Sequence, residues 1–403
     1  SSSSAPPATR QFELFRSWKA PQPPQLSTDA GGASDVPSSE CAGPSSVAAH
    51  ALCSLPVVNE VLRITGGQHV ALLTTHERLA EVMLDESSLS EVDIRYEGDL
   101  EKEAEKACPG LSVLRATVLF PAAFAAMRQR FCEGGDEAFV QSLRQSQKWD
   151  TGGGGRRGTF LKTLDGRYVL KRVKEGEFRD FLKHGREYFA YVSNTPTALP
   201  SLLVKVMGAF MVEFMDRASK KDEKQYLLVQ ENLFYGKSVS TVFDLKGANR
   251  DQNPNGETEN DNATMLDENF FRFNNGDPLL LTEAAKRQLT RALWNDSLFL
   301  QSINVIDYSL LVGVVQQPLE DSSGHPQGRA IEGDPPRVRW TLVVGVIDYC
   351  RQFRTMELLE VHLRRGLGAV LHPKPYKRRF RSSMDRYFVS SMEKYQDSDM
   401  AHS

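Results

Sequence analysis

The chain has 403 residues, 40% hydrophobic and 25% charged, with a formal net charge of −3 at pH 7, which is the composition of an ordinary globular chain of one or two domains. Its longest weakly polar stretch, Ala116 to Met127, contains Pro121 and is too short for the ~20 apolar residues that span a bilayer. Five cysteines (Cys41, Cys53, Cys108, Cys132, Cys350) form no C-x-x-C pair, which argues against a disulfide framework and a structural zinc site and fits a reducing, cytoplasmic setting.

The chain opens with Ser-Ser-Ser-Ser rather than Met and shows no charged segment followed by an apolar core; it reads as a fragment of a longer protein. Residues 1–56 are rich in Ser, Pro, Ala and Gly, with Phe12, Phe15 and Trp18 as the aromatics, and such a composition predicts disorder. Residues 1–83 are therefore assigned to a mostly disordered linker, with folded structure beginning near Leu84. Alternation and β-branched content predict strands at Glu91–Tyr96 and Leu111–Leu119. Helices are expected over Pro121–Cys132 and from Asp136, a cap for Phe139, Val140 and Leu143.

A glycine-rich turn, Gly152-Gly153-Gly154-Gly155-Arg-Arg-Gly158, then leads to a hairpin closed by Leu164-Asp-Gly-Arg167, whose second strand ends in Lys171. Phe178, Phe181, Leu182, Phe189 and Val192 recur at helical spacing, so one amphipathic helix is predicted over residues 176–193. Strands are expected at Leu202–Met215 and Tyr226–Gln230. Val239–Leu245 is a further strand, ending in Asp244-Leu-Lys-Gly247, and Asp251–Asn262 is a solvated loop. Thr282 caps a long helix through Ile303, with Leu289, Leu293 and Leu300 on its buried face. That helix runs into Asp307-Tyr-Ser-Leu-Leu-Val-Gly313. Residues 316–336 read as an inserted loop before a strand from Trp340 to Ile347, which ends at Asp348.

Each chemical feature alone has an ordinary reading: four glycines make a flexible turn, a strand lysine is a solvated edge, and an aspartate after apolar residues is a terminator. Their order is more informative. Glycine-rich hairpin, strand lysine, helix, strand, helix followed by Asp307, and apolar strand ending in Asp348 is the order in which protein-kinase-like folds supply their phosphate and metal groups. Neither H-R-D nor D-F-G is present. Instead Val305-Ile-Asp-Tyr-Ser-Leu-Leu-Val-Gly313, Val344-Gly-Val-Ile-Asp-Tyr349 and Phe243-Asp-Leu-Lys-Gly247 resemble the motifs of phosphatidylinositol phosphate kinases. Leu227-Leu-Val-Gln-Glu-Asn-Leu-Phe-Tyr-Gly236, Leu266-Asp-Glu-Asn269 and Tyr376-Lys-Arg-Arg-Phe-Arg381 resemble the type III branch, the phosphatidylinositol-3-phosphate 5-kinases. The resemblance covers about residues 90–392.

This resemblance implies an α+β, two-lobed protein-kinase-like fold with antiparallel sheets: an N-terminal lobe over 84–235, a C-terminal lobe over 236–395 and a tail at 396–403. It implies ATP and Mg2+ as cofactors. Gly152, Gly153, Gly154, Gly155 and Gly158 would cover the nucleotide, and Lys171 would bind its phosphates, oriented by Glu177 or less readily Glu175. Val229, Gln230, Glu231 and Asn232 would form the hinge that meets adenine. Asp307 would orient or deprotonate the attacking hydroxyl, Asp348 would hold magnesium, and Lys246 would approach the reacting phosphates. The substrate would be phosphatidylinositol 3-phosphate in a membrane surface, with a related monophosphate kinase or an inactive phosphoinositide-binding scaffold as rivals. Endosomal or vacuolar membranes are the expected location, and regulatory scaffold proteins the partners of any upstream region.

Residues 362–386 carry eight Lys or Arg against Asp385, a local charge of +7 within a chain of −3. Such a contrast points to an anionic partner. Arg364, Arg365, Lys374, Lys377 and Arg378 are the candidate lipid-binding residues, in or beside a loop at Thr355–Pro375 that selects lipid in the family. Without a base-stacking array, the charge does not read as a nucleic-acid surface. The sequence departs from the family at Glu357 and Leu358, where paired lysines are usual, at Ala248, where serine is usual, and at Gln252.

Overall fold

The computed structural model describes residues 11–15, 76–95, 97, 101–102, 111–143, 146–148, 160–194, 199–216, 220–248, 264–318, 338–353 and 371–390. In chain order the elements are β1 (Gln11–Phe15), α1 (His76–Leu84), β2 (Glu91–Arg95), β3 (Leu111–Leu119), α2 (Pro121–Phe131), α3 (Gly135–Leu143), β4 (Ser146–Lys148), β5 (Phe160–Thr163), β6 (Tyr168–Val173), α4 (Glu175–Lys183), α5 (Gly185–Asn194), β7 (Val206–Asp216) and β8 (Lys221–Glu231). There follow β9 (Val239–Leu245), α6 (Asp267–Phe273), β10 (Leu279–Leu281), α7 (Glu283–Ser302), β11 (Ser309–Pro318), β12 (Val338–Ile347), α8 (Pro373–Tyr387) and β13 (Phe388–Ser390).

One sheet has seven strands in the order β2-β3-β7-β8-β6-β5-β4, paired antiparallel throughout. The β5–β6 turn forms where Asp165-Gly166 predicts it. Gly166 supplies a φ of 76°, and the Asp165 carboxylate accepts bonds from Ser142 Oγ, Thr163 Oγ1 and the Arg167 N–H, so the turn is tied to α3. Phe120, Phe124, Phe181 and Phe189 pack together behind this sheet.

The other sheet has the order β13-β10-β1-β12-β11-β9. The pairs β9–β11 and β11–β12 are antiparallel. The β1–β10, β1–β12 and β10–β13 pairs are parallel, so the antiparallel expectation is extended here by a mixed flank. The α+β reading stands.

Five local expectations change. Gln11–Phe15 lies inside the segment read as disordered yet sits between β10 and β12; its apolar and aromatic residues make a five-residue strand within a flexible composition, and composition averages over such a short island. α1 likewise precedes the expected start at Leu84. The single helix over 176–193 is two, α4 and α5, broken at His184, whose φ of −111° and ψ of 15° leave the helical region. The break lets Gly185 approach the Phe120 ring, where a Cβ would lie 2.3 Å from a ring carbon. Finally, Lys171 does not end its strand but sits mid-strand in β6, opposite Phe160 and Leu228, and β11 runs to Pro318, taking residues 316–318 from the expected loop.

The two sheets are stitched by the segment 201–205. Leu203 bridges Val346 of β12, with Val346 N–H donating to Leu202 and Val204 N–H donating to Val346. Buried Asp296 of α7 accepts from Leu202 N–H and Tyr191 Oη, both at 2.6 Å. Buried polar groups satisfied in this way fix one relative placement of their elements.

Candidate active site

Strand register brings the motif residues to one edge. In the β11–β12 pair Ser309 faces Ile347, so Asp307 just before β11 and Asp348 just after β12 leave the sheet at the same end. In the β9–β11 pair Leu245 faces Leu310, which brings Lys246 there too. Both aspartates have left-handed backbones, φ 68° at Asp307 and 62° at Asp348. That conformation is uncommon for residues other than glycine, and such strain clusters at functional sites.

Lys171 reaches across from the seven-stranded sheet and places Nζ 2.5 Å from Asp348 Oδ1. Burial opposes the charge of each, but the pairing outweighs it: the Lys171 ammonium is held above its usual value and the Asp348 carboxyl below its own. Lys246 Nζ donates to Asp307 Oδ1 at 3.0 Å, while Arg351 donates to Asp307 Oδ2 at 3.1 Å. Three cations and two carboxylates thus meet in the cleft. The surplus positive charge suits a polyphosphate.

The Lys246 backbone is itself anchored. Asp267, 1% exposed, accepts from the Gly247 N–H at 2.8 Å, the Lys246 N–H at 3.4 Å and Tyr387 Oη at 3.0 Å. Gly247 has a φ of 67°, and a Cβ there would lie 2.8 Å from Ser383 Cβ and Oγ, so both conformation and space demand glycine.

Glu177 forms no hydrogen bond to Lys171 in this structure, although its charge helps to raise the Lys171 ammonium. Its Oε2 accepts from the Lys174 N–H at 3.2 Å, closing a capping box at the start of α4; Asp348 takes the lysine instead. The expected hinge residues Val229, Gln230 and Glu231 end β8, and Asn232 follows it. Val229 and Gln230 lie in β8 between β6 and β7, the Glu231 N–H donates to Lys205, and the Asn232 N–H donates to Arg167. Glu231 also accepts from Lys205 Nζ at 3.0 Å, and Asn232 Nδ2 donates to Gly166. The Glu231 and Asn232 N–H groups are thus already paired within the protein.

Lys374, Lys377 and Arg378 lie on the first turns of α8. Gly152, Gly153, Gly154, Gly155, Gly158, Arg364, Arg365, Glu357, Leu358 and Gln252 lie outside the described residues. Arg351 and Asp267 were not anticipated as functional residues. Arg351 follows Asp348 by three positions, and Asp267 stands inside the Leu266–Asn269 motif, but sequence spacing shows neither partner.

A lysine facing a strand-end aspartate between two sheets, beside a second aspartate held by its own lysine, defines a kinase-like domain. Residues 147–338 match the family model described as phosphatidylinositol-4-phosphate 5-kinase. The 1-phosphatidylinositol 3-phosphate 5-kinase FAB1 of Saccharomyces cerevisiae is 35% identical over 292 residues, 70% of this chain and 12% of that protein. The 1-phosphatidylinositol-3-phosphate 5-kinase FAB1A of Arabidopsis thaliana is 34% identical over 292 residues, 70% of this chain and 15% of that protein. The human 1-phosphatidylinositol 3-phosphate 5-kinase is 34% identical over 277 residues, 66% of this chain and 12% of that protein. The chain belongs to the phosphatidylinositol phosphate kinase family. It spans 12 to 15% of the length of these three relatives.

Proposed function

We propose that this domain transfers the γ-phosphoryl group of ATP to the 5-hydroxyl of phosphatidylinositol 3-phosphate, giving the 3,5-bisphosphate. The observation that carries the reading is the meeting of Lys171, Lys246, Asp307 and Asp348 in one cleft, together with relatives whose names specify that reaction. Phosphoryl transfer asks little covalent help of a protein. Its rate comes from positioning and from neutralising charge on the phosphoryl oxygens.

Lys171 would exchange its contact with Asp348 for the nucleotide phosphates. Lys246 stands beside Asp307, where the γ-phosphoryl and the attacking hydroxyl converge. Each oxygen of Asp307 holds one cation and retains a further lone pair, through which it orients the hydroxyl and accepts its proton as the new O–P bond forms and the β–γ bridge breaks. Asp348 is a hard oxygen donor at the cleft, which fits Mg2+, a cation usually held by one or two carboxylates plus substrate phosphates. When bound, Mg2+ would neutralise phosphate oxygens.

Among the described residues no helix is long and apolar enough to cross a membrane. The domain would act peripherally, on endosomal or vacuolar surfaces where its substrate is embedded. The matched family description names a 4-phosphate 5-kinase, which makes phosphatidylinositol 4-phosphate the second reading. Competition between the 3- and 4-monophosphates in mixed vesicles separates them: the 3-phosphate is expected to be consumed first, and preferential consumption of the 4-phosphate reverses the assignment.

A further inference from the structure

Two large apolar side chains on α7 are exposed one turn apart: Trp294 at 50% and Leu298 at 48%. A helix that buries Leu289, Leu293 and Leu300 has no packing reason to present these outward. Their neighbours are cationic. Arg381 of α8 stacks 4.0 Å from the Trp294 ring centroid and donates to Trp294 O and Ser297 Oγ, each at 2.7 Å. Arg381 therefore holds the indole in place rather than covering it.

The two helices run antiparallel. Lys286 pairs with Asp385 at 3.1 Å, and later on α7 Trp294 and Ser297 meet Arg381, earlier on α8. The preceding turn of α8 carries Lys377 and Arg378. Arg291 lies one turn before Trp294 and is exposed. Among the described residues, Arg291, Lys377 and Arg378 have no carboxylate partner. The cations also crowd one another: the Lys377 ammonium is pushed below its usual value, first by desolvation and then by Arg381, Lys374 and Arg378.

We propose that the Trp294–Leu298 face of α7, with Arg291 and with Lys377 and Arg378 of α8, is a docking surface for an anionic lipid bilayer. An indole and a leucyl group flanked by unpaired cations match the layered chemistry of that surface: the apolar groups enter the headgroup boundary while the cations meet lipid phosphates and carboxylates. The position is also suitable. Tyr376, on the first turn of α8, hydrogen-bonds through Oη to the carbonyl of Tyr308, the residue after Asp307, so the docking helix and the reacting group share one support. This inference rests on the proposed lipid-kinase reading, because it gives the docked bilayer its purpose.

The test uses the whole chain and vesicles of phosphatidylcholine and phosphatidylserine containing no phosphoinositide, with binding read by flotation. Trp294→Ala combined with Leu298→Ser is expected to weaken binding about tenfold. Arg291→Glu is expected to weaken it at least about fivefold, with the effect fading at high salt. Turnover of a short-chain, water-soluble phosphatidylinositol 3-phosphate should stay near the wild-type rate in both variants, which shows that the fold and site are intact. Unchanged vesicle binding in both overturns the proposal. So does a result in which the apolar pair leaves vesicles bound but releases a copurifying protein or dissociates a dimer, because the face is then a protein contact. If the wild-type chain binds vesicles through this face yet never phosphorylates the short-chain substrate, the docking surface stands and the proposed reaction falls.

Discussion

Lys171 and Asp348, separated by 177 positions in sequence, meet with 2.5 Å between Nζ and Oδ1 and so join the seven-stranded sheet to the end of β12. Each is the other's main source of charge compensation. A ligand that separates them must replace both halves, which nucleotide phosphates and a cation would do.

Replacing Asp348 with Asn removes the anion from this pair with little change of shape. Turnover should fall by roughly a hundredfold or more, while the thermal transition shifts by only a few degrees. Normal turnover after Asp348→Asn would free this carboxylate of any role in the reaction.

The pair also sets a pH window. The Asp348 carboxyl is depressed in the folded chain, so its contribution is present above the unfolded value of about 3.9 and is lost as pH falls through the folded value. The Lys171 ammonium is raised, so its contribution is complete below about 10.4 and is lost as pH rises through its folded value. A double-mutant cycle of Lys171→Met and Asp348→Asn, read by urea unfolding, should give a coupling energy flat between about pH 5 and 9. It should shrink only in stronger acid or base. A coupling that changes across neutrality would assign the contact to other groups.

Asp267 tests how Lys246 is positioned. Asp267→Ala would leave the Gly247 and Lys246 N–H groups and the Tyr387 hydroxyl without their acceptor, at a cost of about 1–3 kcal/mol for each buried group left unpaired. Tyr387→Phe removes only the hydroxyl and should cost about 1 kcal/mol. The diagnostic is kinetic: Asp267→Ala should lower kcat with little change in the KM for ATP, whereas Tyr387→Phe should leave kcat close to wild type. Equal kcat values in the two variants would reduce Asp267 to a packing role.

Arg351 holds the second oxygen of Asp307. Arg351→Gln should reduce kcat about tenfold, by letting the carboxylate rotate off its line to the hydroxyl, and Arg351→Lys should recover part of the loss. Full activity in the Gln variant would show that Lys246 alone suffices to hold Asp307.

The parts of the site that could be read from sequence are those carried by local strings. Lys171, Lys246, Asp307 and Asp348 each sit at an element boundary or after a turn marked by residue type, and register then brings them together. Glu177 illustrates the limit: a first-turn acid on a helix after the lysine strand can either pair with that lysine or cap its own helix, and only the tertiary placement of Asp348 decides which. Arg351 and Asp267 act through partners 44 and 20 positions away, which no spacing rule reports. The same holds for β1, whose five residues have neighbours in β10 and β12 at the far end of the chain, and for the His184 break, which depends on how closely Gly185 approaches Phe120.

The proposed reaction is transfer to one hydroxyl of one lipid. Labelled ATP with phosphatidylinositol 3-phosphate in anionic vesicles, followed by assignment of the ring position of the label, measures it directly. Label is expected at position 5 of the wild-type product and is expected to be lost in Asp307→Asn. Label at another position, or equal labelling in the Asp307→Asn variant, would contradict it.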